Sequence, residues 1–461
     1  MCNCLDDSPN GPPSGTLLEK GKYDYSGRLV QPPRSPFMIH TSNVFDPLKK
    51  KFLSNISLRV DPELGLIIEV VERQEEPTIA KNDIDLRNKW VMPGLVDAHS
   101  HIFLHAYAEK TSTEQKRDES FVERIIRSTN HCRRALLAGV TTYRDLGSEG
   151  MMEADANVRD AINRNLIPGP RLFVATKVLA SNSSYIVRTE NSLGGVNLPS
   201  TLDACDGVEE IRAAVRRRIG AGADIIKFYA DYRNRIMRFP PVQQHPYVGS
   251  VAHPPQNPNP EVVLYTQEEM NALCEEARRM NCPVAAHCGS IEGAIMASNA
   301  GALTIEHAYW ADEECLSTLK KNGTMLVPTL AVCEQFFGSK LDVILRKTKR
   351  AFDLGIQLAT GGDTGTYPHG ESVRELELMV QAGIPVPDVL VAATLNGWKA
   401  CGGDLSGYKF GWIGKNVVAD LIAVDQNPIE KFEAMRNIDF VMKNGQVYKQ
   451  DGVPNNEIFF Y

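Results

Sequence analysis

Several features are missing from this chain of 461 residues. No uninterrupted apolar stretch approaches the roughly 20 residues that a bilayer span needs, so no transmembrane helix is expected. The opening stretch, Met1 to Gly15, is mostly polar, with Pro9, Gly11, Pro12, Pro13 and Gly15 close together. It has no basic segment followed by an apolar one, so no secretory signal is expected. The ten cysteines show no repeated paired spacing. With no export signal, they read as free thiols in a reducing, cytoplasmic compartment. Excess positive charge is absent too: 50 Lys and Arg stand against 57 Asp and Glu, a formal net charge of -7, mixed along the chain. That balance makes no case for nucleic acid or an anionic membrane as partner. Internal repeats, coiled-coil heptads and a Gly-rich dinucleotide loop after the first long strand are also missing.

What is present is an ordinary globular composition, 43% hydrophobic and 23% charged, in a chain long enough for one large domain and a smaller one. Residues 1–36 read as a flexible tail rich in Pro, Gly and Ser. Two strands, Ile56 to Val60 and Leu64 to Val71, flank the turn Asp61-Pro62. Alternating strands and helices follow from about Trp90 to Cys401. Eight strand-like runs lie near Val91–His101, Val140–Leu146, Arg171–Leu179, Asp224–Ala230, Pro283–Cys288, Leu303–His307, Met325–Leu330 and Ile356–Asp363. Helical periodicity fills most gaps, as in 267–280, where Thr266 and Glu269 form a capping-box pattern. This rhythm predicts an α/β fold, a (β/α)₈ TIM-like barrel over 91–401. After Cys401 strands return: Val417 to Val424, then a hairpin through Asn444-Gly445. Residues 37–90 and 402–450 are expected to pair as one small discontinuous β-sandwich, with 451–461 as a tail.

Six residues sit at or near the C-terminal ends of those strand-like runs: His99, His101, Lys227, His287, His307 and Asp363. A barrel places its reactive groups there. His99 and His101 are two apart, so on a strand they share a face and can grip one ion. A lysine inside Ile225-Ile226-Lys227-Phe228 is costly to bury unpaired. It has either a carboxylate partner or a neutral amine to which carbon dioxide adds, giving a two-oxygen anion able to bridge two cations. His287 and His307 end successive strands. Either alone would read as a satisfied core residue; together they read as metal ligands. Asp363 is an N-cap in one reading, and in the other a carboxylate that binds metal and accepts a proton. Glu306 is expected on the face opposite to His307.

The run Pro93-Gly94-Leu95-Val96-Asp97-Ala98-His99-Ser100-His101 resembles the signature of the amidohydrolase superfamily, and the later Lys, His, His and Asp follow in that family's order. Ala393-Thr394-Leu395-Asn396, Gly414-Lys415 with Ala419-Asp420-Leu421-Ile422, and Met442-Lys443-Asn444-Gly445 are similar as well. The resemblance covers residues 37 to 450. Within the superfamily it is nearest to the imidazolonepropionase-like branch, which includes prolidase-type dipeptidases and the fungal ochratoxin-hydrolysing amidase. It implies a barrel with two divalent metal ions, zinc by expectation. One ion would be held by His99, His101 and Asp363, the other by His287 and His307, with carboxylated Lys227 as the bridge. It implies a metal-bound hydroxide attacking an amide carbonyl, since zinc lowers the pKa of bound water from roughly 15.7 to about 7. Asp363 would carry the proton to the leaving amine.

The expected substrate is a small molecule with a peptide-like or N-acyl amino acid amide. Tyr229, two residues past Lys227, is a candidate to hydrogen-bond the carbonyl, or else a rim-packing residue. Arg233 is a candidate for a substrate carboxylate, or a surface arginine. His105 is a further pocket candidate, and Tyr185 and Arg188 are weaker ones. The Pro-rich stretch 234–264 reads as an ordered loop or lid near the site. Three alternatives stand beside the amidase reading: hydrolysis of a cyclic amide or lactone, or an elimination, at the same site; a non-catalytic binding protein on an inherited barrel; and a mononuclear deaminase, in which Lys227 would have no task. A homo-oligomer is expected by analogy alone.

Overall fold

The computed structural model describes residues 34–184, 198–232, 243–250, 252–253 and 262–459. Five strands come first: β1 (Phe37–Asp46), β2 (Lys51–Ser54), β3 (Ile56–Asp61), β4 (Leu66–Glu72) and β5 (Ile84–Pro93). The turn between β3 and β4 is made by Asp61, whose Oδ1 accepts from the backbone N–H of Glu63 at 2.9 Å and of Leu64 at 3.0 Å. β5 leads through Gly94 into β6 (Leu95–Ser100). A Cβ at Gly94 would lie 2.2 Å from Thr141 Oγ1, so only glycine lets the chain pass.

β6, β7 (Val140–Asp145) and β8 (Arg171–Val174) form a three-stranded parallel sheet. Every residue of these three strands is buried, as expected of parallel strands covered on both faces. Next come β9 (Val178–Ala180), β10 (Leu202–Ala204) and β11 (Ile226–Tyr229). Two short antiparallel pairs follow within 231–263: β12 (Asp231–Tyr232) with β15 (Val262–Val263), and β13 (Gln243–Gln244) with β14 (Ala252–His253). Then β16 (Val284–Cys288), β17 (Thr304–His307) and β18 (Met325–Val327) complete a six-stranded parallel sheet in the order β10-β9-β11-β16-β17-β18. Helices alternate with these strands, among them Phe121–Leu137, Val208–Gly220 and Gln267–Arg279. The last has the capping box read from its sequence, with Thr266 and Glu269 each accepting from the other's backbone N–H.

The eighth expected strand is not one. Residues 356–364 make only two isolated bridges, Leu326 with Leu358 and Ser100 with Thr364. Thr360 explains part of this: its carbonyl accepts from Ala98 N at 2.8 Å, while its own N–H turns away to Ala392 O at 3.2 Å. Asp363, at φ 63°, then ends any extended run. The alternation is TIM-like, but regular ladders do not close it into a barrel.

The last strands are β19 (Val417–Val418), β20 (Leu421–Val424), β21 (Phe440–Lys443), β22 (Gln446–Gln450) and β23 (Val453–Pro454). They join the first five in one ten-stranded sheet, with β5 and β20 antiparallel at the seam and β2 attached to β1. The pairing defines a single sheet and sets out no two-layer sandwich. Its own apolar cluster includes Val44, Leu58, Val91, Leu421 and Phe440, separate from the larger cluster of the strand–helix layers. Among the described residues no helix is long and apolar enough to cross a membrane.

Candidate metal centre

Four strand ends, those of β6, β11, β16 and β17, and the 356–364 segment converge on one group of side chains. His99 Nε2 lies 3.6 Å from Asp363 Oδ1, and His101 Nε2 lies 3.2 Å from the same oxygen. One ligand atom from each of His99, His101 and Asp363 falls within 4.8 Å of the others. The imidazole of His307 is 5.0 Å from that of His99, and His287 is 4.5 Å from His307, centroid to centroid. Lys227, on β11, pairs in register with Ala285, two residues before His287. All six predicted groups therefore belong to one neighbourhood.

The backbone is bent to aim them. His307 has φ 72° and Asp363 has φ 63°, a region that side-chain-bearing residues rarely occupy. Such strain collects at functional sites. It also overturns the expectation for Glu306. A regular strand would send Glu306 and His307 to opposite faces, but β17 ends at the bent His307. Glu306 is fully buried with Oε2 2.8 Å from His99 Nδ1.

Electrostatics suit cation ligands. Burial, with the Lys227 charge beside it, pushes His99 down to about 4 and His287 to about 3. His307 falls well below its ordinary value, through burial and then His287. These rings are neutral near pH 7 and carry free lone pairs. Burial alone would raise Asp363, but His99 and His101 hold it well below the usual carboxylate range. His101 moves the other way: burial opposes its proton, yet the Asp363 hydrogen bond and charge bring it up to about 9. Two Nδ1 atoms have neutral partners, Gly147 O at 3.1 Å for His101 and Thr329 Oγ1 at 2.8 Å for His307.

Lys227 is 2% exposed, and its Nζ has no hydrogen-bond partner among the described residues. Burial drives its pKa down to about 8, against the pull of Glu306. An orphaned buried amine beside neutral imidazoles and an ionised carboxylate is the donor chemistry that a pair of divalent cations needs, once the amine carries carbon dioxide.

The candidates for substrate contact divide. Tyr229 stacks on Tyr232 at 4.9 Å and sets its ring edge-on to His287 at 5.0 Å, so it borders the cluster. His105 is occupied elsewhere: Nε2 lies 2.8 Å from Glu119 Oε1 and Nδ1 lies 3.1 Å from Glu109 Oε2. Arg233, Tyr185 and Arg188 lie outside the described residues, as does much of 234–264.

Sequence reading missed Arg144, Glu149 and Lys116. Glu149 Oε2 is 2.7 Å from Lys116 Nζ, and its Oε1 is 3.6 Å from His101 Nδ1. Arg144 reaches Glu306 from β7 at 2.8 Å. Its signal was available: a charge inside a buried strand, the same feature that marks Lys227.

Comparison with known proteins agrees with this geometry. The model of the amidohydrolase family matches residues 90–448. The chain belongs to the amidohydrolase family. This amidohydrolase is 30% identical to ochratoxinase from Aspergillus niger over 397 residues, 79% of this chain and 76% of that protein. It is 24% identical to imidazolonepropionase from Symbiobacterium thermophilum over 339 residues, 69% of this chain and 72% of that one. Among solved structures it resembles a Xaa-Pro dipeptidase with methionine bound in its active site. The TM-score there is 0.72 at 28% identity, covering 90% of this chain and 100% of that chain. The A. niger ochratoxinase structure gives a TM-score of 0.73 at 25% identity, covering 90% and 96%. As a member of this family the chain is a hydrolytic enzyme acting on carbon–nitrogen bonds.

Proposed function

We propose that this amidohydrolase cleaves the amide bond of a small molecule bearing a free carboxylate, an N-acyl amino acid or a dipeptide, at a centre of two divalent ions. One observation carries the reading: the orphaned Lys227 amine, buried among His99, His101, His287, His307 and Asp363. His99, His101 and Asp363 would hold one ion and His287 and His307 the other. Lys227, carboxylated by carbon dioxide, would be an anionic ligand shared by both. When bound, zinc ions supply an acidified water and an electrophile for the carbonyl.

The chain's own residues do the rest. Asp363, held ionised, accepts a proton at its carboxylate and delivers it to the departing amine. Tyr229, whose pKa burial raises well above the ordinary phenol value, keeps its O–H and donates it to the substrate carbonyl oxygen. Arg233 takes the substrate carboxylate in a bidentate pair. Relatives support the substrate class, because a dipeptidase and an ochratoxinase are among them.

The test is release of free amino acid from a panel of N-acyl amino acids and Xaa-Pro dipeptides by protein purified with zinc and bicarbonate. Turnover is expected on at least one panel member, falling to background in Lys227→Ala. Unchanged turnover in that variant removes Lys227 from the mechanism. Turnover confined to lactones or cyclic amides overturns the substrate class.

A further inference from the structure

Arg144 and Glu306 have no part in the chemistry above, yet both are 0% exposed and lie against the centre. Glu306 divides its two oxygens. Oε1 accepts from Arg144 Nη2 at 2.8 Å and from the Thr304 hydroxyl; Oε2 meets His99 Nδ1 at 2.8 Å. Arg144 uses further donors on β17 again and on two other elements. Nε donates to Ala98 O at 2.5 Å, and Nη1 donates to Thr304 Oγ1 at 2.9 Å and to Ala400 O at 3.0 Å. The guanidinium thus ties β6 beside His99, β17, and the helix Leu395–Ala400 into one fixed frame.

An ionised carboxylate can only accept. Facing Glu306, His99 must therefore carry its proton on Nδ1, which leaves the lone pair on Nε2, the atom that faces Asp363. The Nδ1 atoms of His101 and His307 have neutral partners at hydrogen-bond distance, Gly147 O and Thr329 Oγ1, with the Glu149 carboxylate standing further from His101 at 3.6 Å; the Nδ1 of His99 has a carboxylate at 2.8 Å. A buried ion pair kept for stability alone is often replaceable by apolar residues of similar volume. This pair does more than fill space, because one end sets the tautomer of a ring in the centre.

We propose that Glu306 and Arg144 are positioning residues: Glu306 fixes His99 with its Nε2 lone pair towards Asp363, and Arg144 fixes Glu306. The inference rests on the two-ion reading of the site, and its test separates the two.

The experiment uses zinc-free full-length protein, wild type and the variants Glu306→Ala, Glu306→Gln and Arg144→Met. Zinc affinity is measured by chelator competition, and the His99 tautomer by nitrogen NMR on histidine-labelled protein without metal. Wild type is expected to bind two ions and to show His99 as the Nδ1–H form. Glu306→Ala should weaken one ion by about 10–100-fold, leave the other unchanged, and give a mixed tautomer. Arg144→Met should do the same more mildly. Glu306→Gln, close in shape, covers the case in which the alanine variant fails to fold, and should also show the mixed tautomer. An unchanged tautomer with unchanged affinities overturns the proposal. So does an equal loss for both ions that tracks a lowered melting temperature of the zinc-free variant, the signature of packing alone. Wild type that binds no zinc while showing the Nδ1–H form would sink the two-ion reading and leave the role of Glu306 in place.

Discussion

At the scale of single residues, His101 and its neighbours carry opposite shifts. Burial, with the Lys227 charge, lowers His99 and His287, whereas in His101 burial is outweighed by the hydrogen bond and charge of Asp363 together. A histidine raised to about 9 contributes stability that is complete below its unfolded value of about 6.5 and is lost as pH rises through 9. In zinc-free protein, the stability gap between wild type and Asp363→Asn should therefore be widest near pH 6 and close progressively towards pH 9 or above. Urea unfolding at a series of pH values reads this directly. A gap that widens with pH would show that the His101–Asp363 pair is not the source. In the same protein the His99 and His287 rings should stay neutral on acidification until about pH 4 and 3 respectively, followed by proton NMR.

At the scale of elements, the segment 356–364 stands where a strand was expected and gains its place from close approach. A Cβ on Gly361 would lie 2.6 Å from His99 N and 2.8 Å from both His99 Cβ and Val327 Cγ1. Gly361→Ala would force this segment away from β6 or β18, an overpacking cost of about 2 kcal/mol. Because the contact is with His99 itself, zinc affinity should fall together with the urea midpoint. A variant with a normal midpoint and normal zinc binding would show that the segment is free to shift. Here sequence and structure differ for a plain reason. Ile356 to Asp363 has the apolar text of a strand, but the Thr360 N–H turns to Ala392 O and the chain bends at Asp363, so no ladder continues along it.

At the scale of the whole molecule, the ten-stranded sheet is locked to the strand–helix layers by a buried polar seam. Arg171 on β8 donates through Nη1 to Asp420 Oδ2 at 2.7 Å and through Nη2 to Asn444 Oδ1 at 2.5 Å. Lys443 Nζ reaches Gly169 O at 2.6 Å across the same seam. Removing one partner leaves an uncompensated buried charge. Asp420→Ala is expected to cost about 3 kcal/mol in unfolding free energy. Zinc content should remain normal at 20 °C, since Asp420 touches none of the six ligand candidates. Loss of zinc without loss of stability would mean that the seam also shapes the centre.

The sequence by itself determined the α/β rhythm, the family, and the identity of the six candidate ligands, because each of these is a local pattern. Strand ends can be seen as apolar runs that stop, and a histidine or lysine at such a stop is conspicuous. Tertiary structure alone decided three things: that Glu306 turns inward to His99, that His105 is claimed by Glu119 and Glu109, and that Arg144 spans from β7 to β17. The first and third depend on a backbone angle or on a neighbour far away in the chain; the second depends on which of several nearby acidic side chains the ring meets, 4 and 14 residues on. The alternation rule that placed Glu306 on the face opposite to His307 holds only while the strand stays extended, and β17 stops being extended at His307.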